Sequence, residues 1–168
     1  ETIVYNLEQL RGIAPGNLKP GLQFAARHFQ VWDYSHENLP VWHQAGCANP
    51  VHLPIGFAPV LSRITPSPVQ DIDVLIYGLP GPKRTEVFQQ LCNLGVVCMF
   101  VCGLYGQARD DLIARSKLIL NINLWDFGKI FEAARVSYLL ANRKAVVCLD
   151  EPGLSAQAHW REALPFVP

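Results

Sequence analysis

Lys129-Ile-Phe-Glu-Ala-Ala-Arg-Val-Ser-Tyr-Leu-Leu-Ala-Asn-Arg-Lys-Ala-Val-Val147 follows an apolar run, Leu118-Ile-Leu-Asn-Ile-Asn-Leu124, with Gly128 in the short connection between them. The pattern predicts a strand over Leu118 to Leu124, a helix over Ile130 to Asn142 and another strand over Ala145 to Leu149. Strand, glycine-containing loop and helix make one half of a nucleotide site. A helix N-terminus carries roughly half a positive charge and favours a diphosphate, here at Gly128 to Ile130. Glu132, one turn into the predicted helix, would accept hydrogen bonds from a ribose diol. The plainer alternative pairs it with Arg135 on a solvated face.

The same alternation extends upstream. Asp73 to Tyr77 reads as a buried strand, Arg84 to Asn93 as a helix with Val87, Phe88, Leu91 and Cys92 on its apolar stripe, and Gly95 as its terminator. Val96 to Cys102 is the next strand and Gln107 to Arg115 the next helix. Strands that are apolar throughout, alternating with helices, define an α/β fold: a Rossmann-like parallel sheet flanked by helices. Such sheets bind ligands outside the carboxyl ends of their strands. The loop after the first of these strands, Gly78-Leu-Pro-Gly-Pro-Lys-Arg84, matches neither a dinucleotide fingerprint nor a P-loop. It offers a tight turn with Lys83 and Arg84 at a helix start, either facing a diphosphate or simply solvated. In Gly103-Leu-Tyr-Gly-Gln-Ala-Arg109, Tyr105 is a candidate for packing on a base or a plain loop anchor, and Gly106 permits close approach. Asn121 and Asn123 share one face of their strand, and two amides in an apolar run need partners, from a ligand or from backbone.

Ahead of this region lies a proline-rich stretch, Ala58 to Gln70, holding Pro59, Pro66 and Pro68. It divides the chain into 1–60, a linker at 61–70, and 71–168. The first part shows strands at Thr2 to Asn6, Gln30 to Tyr34 and Val51 to Pro54. Its helices run from Leu18 to His28 and from Glu37 to Ala45, the second capped near Ser35 or Asn38. With 168 residues, half of them hydrophobic, the chain can build a real core. Fourteen basic residues balance fourteen acidic ones, so nothing favours nucleic acid as a partner. Cys47, Cys92, Cys98, Cys102 and Cys148 include no Cys-x-x-Cys pair, and most sit in apolar runs. They read as thiols of a reduced, cytoplasmic protein without structural zinc. The chain opens in what looks like mid-strand and ends at Ala163-Leu-Pro-Phe-Val-Pro168 on the approach to a strand it does not contain, as a fragment would.

The segment from Asp71 to Pro152 resembles the C-terminal lobe of GT-B glycosyltransferases, and more narrowly bacterial family-1-type enzymes. The resemblance is carried by Asp71-Ile-Asp-Val-Leu-Ile-Tyr-Gly78, Tyr105-Gly106, Arg109-Asp-Asp-Leu-Ile-Ala-Arg-Ser-Lys117 and Lys129 to Val147. Tyr5-Asn-Leu-Glu-Gln9, Trp32-Asp-Tyr-Ser35 and Leu53-Pro-Ile-Gly-Phe57 extend it upstream. It implies a truncated GT-B arrangement: part of an acceptor-side lobe at 1–60 and a nucleotide-sugar lobe at 71–168. It implies donor contacts from Gly78, Arg84, Tyr105, Gly106, Asn123, Lys129, Ile130, Phe131 and Glu132. In these the loop before Glu132 and Arg84 meet the diphosphate, and Glu132 meets the ribose. Two departures stand out. Many retaining members carry two glutamates separated by seven residues, and the earlier position here is Leu124; paired arginines are replaced by Lys83-Arg84.

The implied reaction is transfer of a sugar from a nucleoside diphosphate to a hydroxyl of a carbohydrate, lipid-linked or protein acceptor. It needs no cofactor, the nucleotide sugar being a substrate. No Asp-x-Asp sits in a loop to hold a metal, since Asp71-Ile-Asp73 leads into a buried strand. Glu8, Asp33 and His36 are the acids and bases of the first part; Asp33 and His36 follow a strand and are the catalytic candidates. Asp33 is alternatively a helix cap and His36 merely exposed. Rival functions are a sugar-nucleotide epimerase and a non-catalytic nucleotide-binding or structural module. An open sheet edge would predict a homo-oligomer or a missing partner domain.

Overall fold

A computed structural model describes every residue except Glu1 and residues 125–128, together with all but the side chain of Pro15. The chain forms two compact units. The first comprises Glu1–Gly56, Trp125–Ala134 and Gly153–Ser155, and the second Phe57–Leu124, Arg135–Pro152 and Ala156–Pro168.

The first unit holds a three-stranded parallel sheet in the order β1 (Ile3–Asn6), β2 (Gln30–Asp33), β3 (Val51–His52). Helices α1 (Pro20–His28) and α2 (Leu39–Gln44) connect them. Leu10, Leu18, Ala26, Val31, Val41 and Trp42 form its core. The second helix expected here is shorter than the sequence predicts. Ser35 caps a single 3-10 turn, His36–Asn38, by accepting from the Glu37 N–H, and Pro40 then opens α2.

The second unit is a five-stranded, all-parallel sheet in the order β5-β4-β6-β7-β8. The strands are β4 (Ile72–Tyr77), β5 (Cys98–Val101), β6 (Ser116–Asn121), β7 (Ala145–Leu149) and β8 (Phe166–Val167). Between them run α3 (Pro82–Asn93), α4 (Gly106–Arg115), α5 (Ala133–Ala141) and α6 (Ala158–Ala163). The fold is α/β and Rossmann-like, with helices flanking parallel strands. On one face Val74, Ile76, Leu120, Ile122 and Leu149 pack against Val87, Phe88 and Leu91 of α3. Three residues of the expected stripe thus face the sheet, partly buried, while the fully buried residue of α3 is Arg84. Phe166 and Val167, expected only to approach a strand, themselves form β8, paired in parallel with Cys148 and Leu149.

The 61–70 segment is tied down rather than free. Asn142 Oδ1, just past α5, accepts the N–H groups of Arg63 and Ile64, each at 2.8 Å, while its Nδ2 donates to the carbonyls of Leu61 and Tyr138. Ser62 Oγ donates to the carbonyl of Ala141. The sequential division at 61–70 also misses that residues after β6 return to the first unit. Pairing explains the return. Ile130 forms a parallel bridge with Ser155, and its N–H donates to Gln9 Oε1 at 3.2 Å.

Lys144, at the start of β7, is 6% exposed, and its ammonium donates to the carbonyl of Ser116. Burial lowers its pKa below the ordinary 10.5. Between the lowered folded value and 10.5 the unfolded chain binds more protons, so this group makes stability climb as pH rises through that interval. Lys144→Met should remove the climb. Urea denaturation of both proteins from neutral to alkaline pH checks it; a wild-type-minus-variant difference that does not change with pH would refute it.

Candidate functional site

In the second unit β4 leads through α3 to β5 on one side, and β6 leads through α5 to β7 on the other. The carboxyl ends of β4 and β6 therefore flank the topological switch point, where open α/β sheets bind ligands. Gly78 follows β4 there with φ of 126°, a conformation that a side chain resists. A Cβ built on it would lie 2.9 Å from Arg84 Nη1 and 3.1 Å from Arg135 Nη2. Two guanidinium groups thus converge on one bare backbone position.

Arg84 is not the solvated helix-start charge of the plainer expectation. It is 2% exposed, with Nε and Nη2 donating to the Ile122 carbonyl at 3.0 and 2.6 Å and Nη1 to the Leu79 carbonyl at 2.9 Å. The neighbouring Lys83 reaches solvent and pairs with buried Glu151 at 3.8 Å. Arg135, on α5, lies over the Tyr77 ring at 5.0 Å, and its Nη1 approaches Asn121 Oδ1 at 3.4 Å. Sequence reasoning treated Arg135 only as a partner for Glu132. Its i,i+3 spacing from Glu132 gave no sign that it reaches β4 and β6.

Asn121 and Asn123 do not share a strand face, because β6 ends at Asn121. Asn121 Nδ2 lies 3.9 Å from Cys148 Sγ, and Asn123 Oδ1 accepts the Leu124 N–H at 3.2 Å. At the carboxyl end of β5, Tyr105 immediately precedes α4 and is 80% exposed, and Gly106 has φ of 56°. The glycine is needed for the turn, and the aromatic face stands open to solvent.

Lys129, Ile130, Phe131 and Glu132 belong to the first unit. They are not the first turn of a helix. Ser155 donates its N–H to Lys129 O at 2.8 Å and accepts from the Phe131 N–H at 3.0 Å, which holds this stretch extended, and α5 begins only at Ala133. Glu132 is half-buried immediately ahead of α5. Gly128 lies outside the described residues. Tyr34 has its hydroxyl pKa raised by burial and then by the charges of Asp33, Glu132 and Glu8. These carboxylates therefore stand around one buried phenol.

Asp33, expected to face an acceptor, has no exposed surface. Its oxygens accept from Asn6 Nδ2 at 2.7 Å, Trp42 Nε1 at 2.7 Å, the Ser35 N–H at 2.8 Å and Asn38 Nδ2 at 3.0 Å. Burial raises its pKa despite these four donors. It organises the end of β2 and has no free approach for a substrate hydroxyl. His36 is exposed, its ring 5.8 Å from that of His52 in an edge-on arrangement.

A second polar cluster escaped the sequence reading. Asp110 on α4 is buried, accepts the Tyr138 hydroxyl at 2.7 Å, and is reached by Arg109 at 2.8 Å and Arg63 at 3.3 Å. Both guanidiniums also lie near the Tyr138 ring. Burial pushes the Asp110 carboxyl up, but the Tyr138 hydroxyl and the two arginines outweigh it and hold it below the ordinary value. All five cysteines are free thiols, and burial pushes Cys98 and Cys148 up to about 11. Among the described residues no group of three or more His, Cys, Asp or Glu is placed to hold a metal ion. Nor is any of their helices long and apolar enough to cross a membrane.

No protein-family model matches the chain. A protein of Acanthamoeba polyphaga mimivirus, "Uncharacterized protein L140", is 31% identical over 114 residues, covering 65% of this chain. The match spans only about a third of that protein's length (36%).

Asp33→Ala should destabilise the protein by about 2–4 kcal/mol at neutral pH, because it leaves several buried donors without acceptors. Because the folded pKa of Asp33 is raised, its contribution is fullest below pH 3.8 and shrinks as pH rises through the folded value. The gap between wild type and variant, measured by urea denaturation, should therefore narrow from acid to neutral pH.

Proposed function

We propose that this chain carries the nucleotide-sugar-binding lobe of a glycosyltransferase of the GT-B type, acting in the cytoplasm. The reaction would move a sugar from a nucleoside diphosphate to an acceptor hydroxyl. The observation that carries the proposal is the pair of guanidiniums converging on Gly78 at the switch point of a parallel sheet. A departing nucleoside diphosphate gathers negative charge, and fixed cations stabilise it without reorganising. Buried Arg84, locked on backbone carbonyls, supplies such a charge.

The remaining roles follow the resemblance. Tyr105 offers its open ring to the base. Glu132, ahead of α5, is the carboxylate for the ribose, and Lys129 to Phe131 stay assigned to the donor. His36 is the one exposed member of the first unit's catalytic pair, while the Asp33 network argues against a proton-transfer role for that aspartate. The free thiols favour a reducing compartment. The acceptor is a carbohydrate, a lipid-linked saccharide or a protein.

Titration calorimetry against UDP, GDP, ADP, TDP and CMP tests the proposal. One nucleoside diphosphate should bind in preference, and Tyr105→Ala should weaken it about tenfold, the loss of one aromatic stacking contact. Glu132→Ala should abolish discrimination between the ribose and deoxyribose forms of that nucleotide. Absence of binding to every nucleotide by a folded sample would overturn the proposal in favour of a structural module.

A further inference from the structure

The end of β2 places two histidines at once. Asp33 stands opposite His52 of β3 in the ladder, and its carbonyl accepts the Leu53 N–H at 2.9 Å, which sets the register of His52. Ser35 caps the single turn that starts at His36, and the Asp33 carboxylate pins that turn through the Ser35 N–H and the Asn38 amide. The two imidazoles meet with ring centres 5.8 Å apart and planes at 86°. Their surroundings differ. His36 is exposed, whereas Nε2 of His52 is enclosed and has no hydrogen-bond partner among the described residues. A ring contact accounts for the approach, but it leaves unpaired a buried nitrogen that is costly to leave so.

A shared metal ion accounts for both. A zinc ion about 2.1 Å from an imidazole nitrogen lies about 3.2 Å from that ring's centre, so two rings at a tetrahedral angle stand about 5.2 Å apart. A small rotation of the exposed His36 ring closes the difference from the observed 5.8 Å. Asp33 does not join them, since its oxygens already accept from four donors. Glu37 is engaged by Arg11 at 3.5 Å and by Ser155 Oγ at 3.2 Å. The protein therefore supplies two ligands, in keeping with the lack of a three-ligand group among the described residues.

We infer that His36 and His52 bind one divalent ion of the imidazole-seeking class, Zn2+ or Cu2+, with water in the remaining positions. Hard ions such as Mg2+, which take oxygen ligands, are not accepted. The inference does not rest on the donor-site reading: both histidines belong to the first unit, and ion and nucleotide are titrated separately.

The experiment is calorimetry of the full chain, stripped of metal with a chelator, against ZnCl2 and MgCl2. It uses wild type, His36→Ala, His52→Ala and His43→Ala, each shown to be folded by circular dichroism. Wild type should bind a single Zn2+ and no Mg2+. Removing either ligand should weaken zinc by at least about a hundredfold, the upper end of what losing a metal's outer partners costs. His43→Ala, which removes an exposed histidine of α2, should leave zinc binding unchanged. With Cu2+, electron paramagnetic resonance should show coupling to two imidazole nitrogens in wild type and to one in His36→Ala. Zinc bound as tightly by His36→Ala as by wild type marks an ion held elsewhere, such as on the free thiols, and overturns the inference. So does a folded wild type that binds no zinc. Should His52→Ala not fold, His36→Ala decides alone, because its exposed ring can be removed without opening the core.

Discussion

The guanidinium of Arg84 on the carbonyl of Ile122 is the interaction on which the second unit turns. A parallel sheet whose connections depart in opposite directions from β4 and β6 opens a crevice at their carboxyl ends. Backbone leaving a strand there has carbonyls without ladder partners, and a buried carbonyl needs a donor. Arg84 reaches from the first turn of α3 to supply three hydrogen bonds at once. Doing so buries a guanidinium at the carboxyl ends of β4 and β6. The side chain that satisfies these carbonyls also carries a charge, so the hydrogen bonding of the crevice and the placing of a guanidinium there are one feature.

The first unit solves the corresponding problem with the opposite charge. Asp33, at the end of β2, gathers an indole, two amides and a backbone N–H around one carboxylate. The cost of desolvation still exceeds what those donors return, as the raised pKa records. Such a buried carboxylate fixes the geometry of the strand end and of the turn that follows, because donors from four separate residues meet on it.

Much of the second unit was legible in the sequence. Buried parallel strands must be apolar on both faces, so Val74-Leu-Ile76 and Leu118-Ile-Leu120 announced themselves, and the Val87, Phe88, Leu91 stripe of α3 pointed to its sheet. What escaped was everything decided by partners distant along the chain. Lys129 to Phe131 reads as a helix start because nothing local reveals Ser155, whose backbone draws the stretch into extended form. Arg84 reads as facing either a diphosphate or solvent because its acceptor is a carbonyl beyond the end of β6. The burial of Asp33 was invisible for the same reason, since Asn6 and Trp42 come from other elements. β8 was missed because two residues are too few to show a period. For the site, topology placed Gly78, Arg84 and Tyr105 at strand ends, while Arg135 required knowing where α5 packs.

Asn142 makes the course of the proline-rich stretch depend on backbone more than its composition suggests. Its side chain grips Leu61, Arg63 and Ile64 through their backbone groups alone. Main-chain groups are the same whatever side chain they carry, so the grip on Leu61 and Ile64 does not depend on which side chains stand there, whereas Arg63 is also held through its guanidinium by Asp110. The course of three residues thus hangs on one amide, and shortening or lengthening that side chain by a single carbon would release all of them at once.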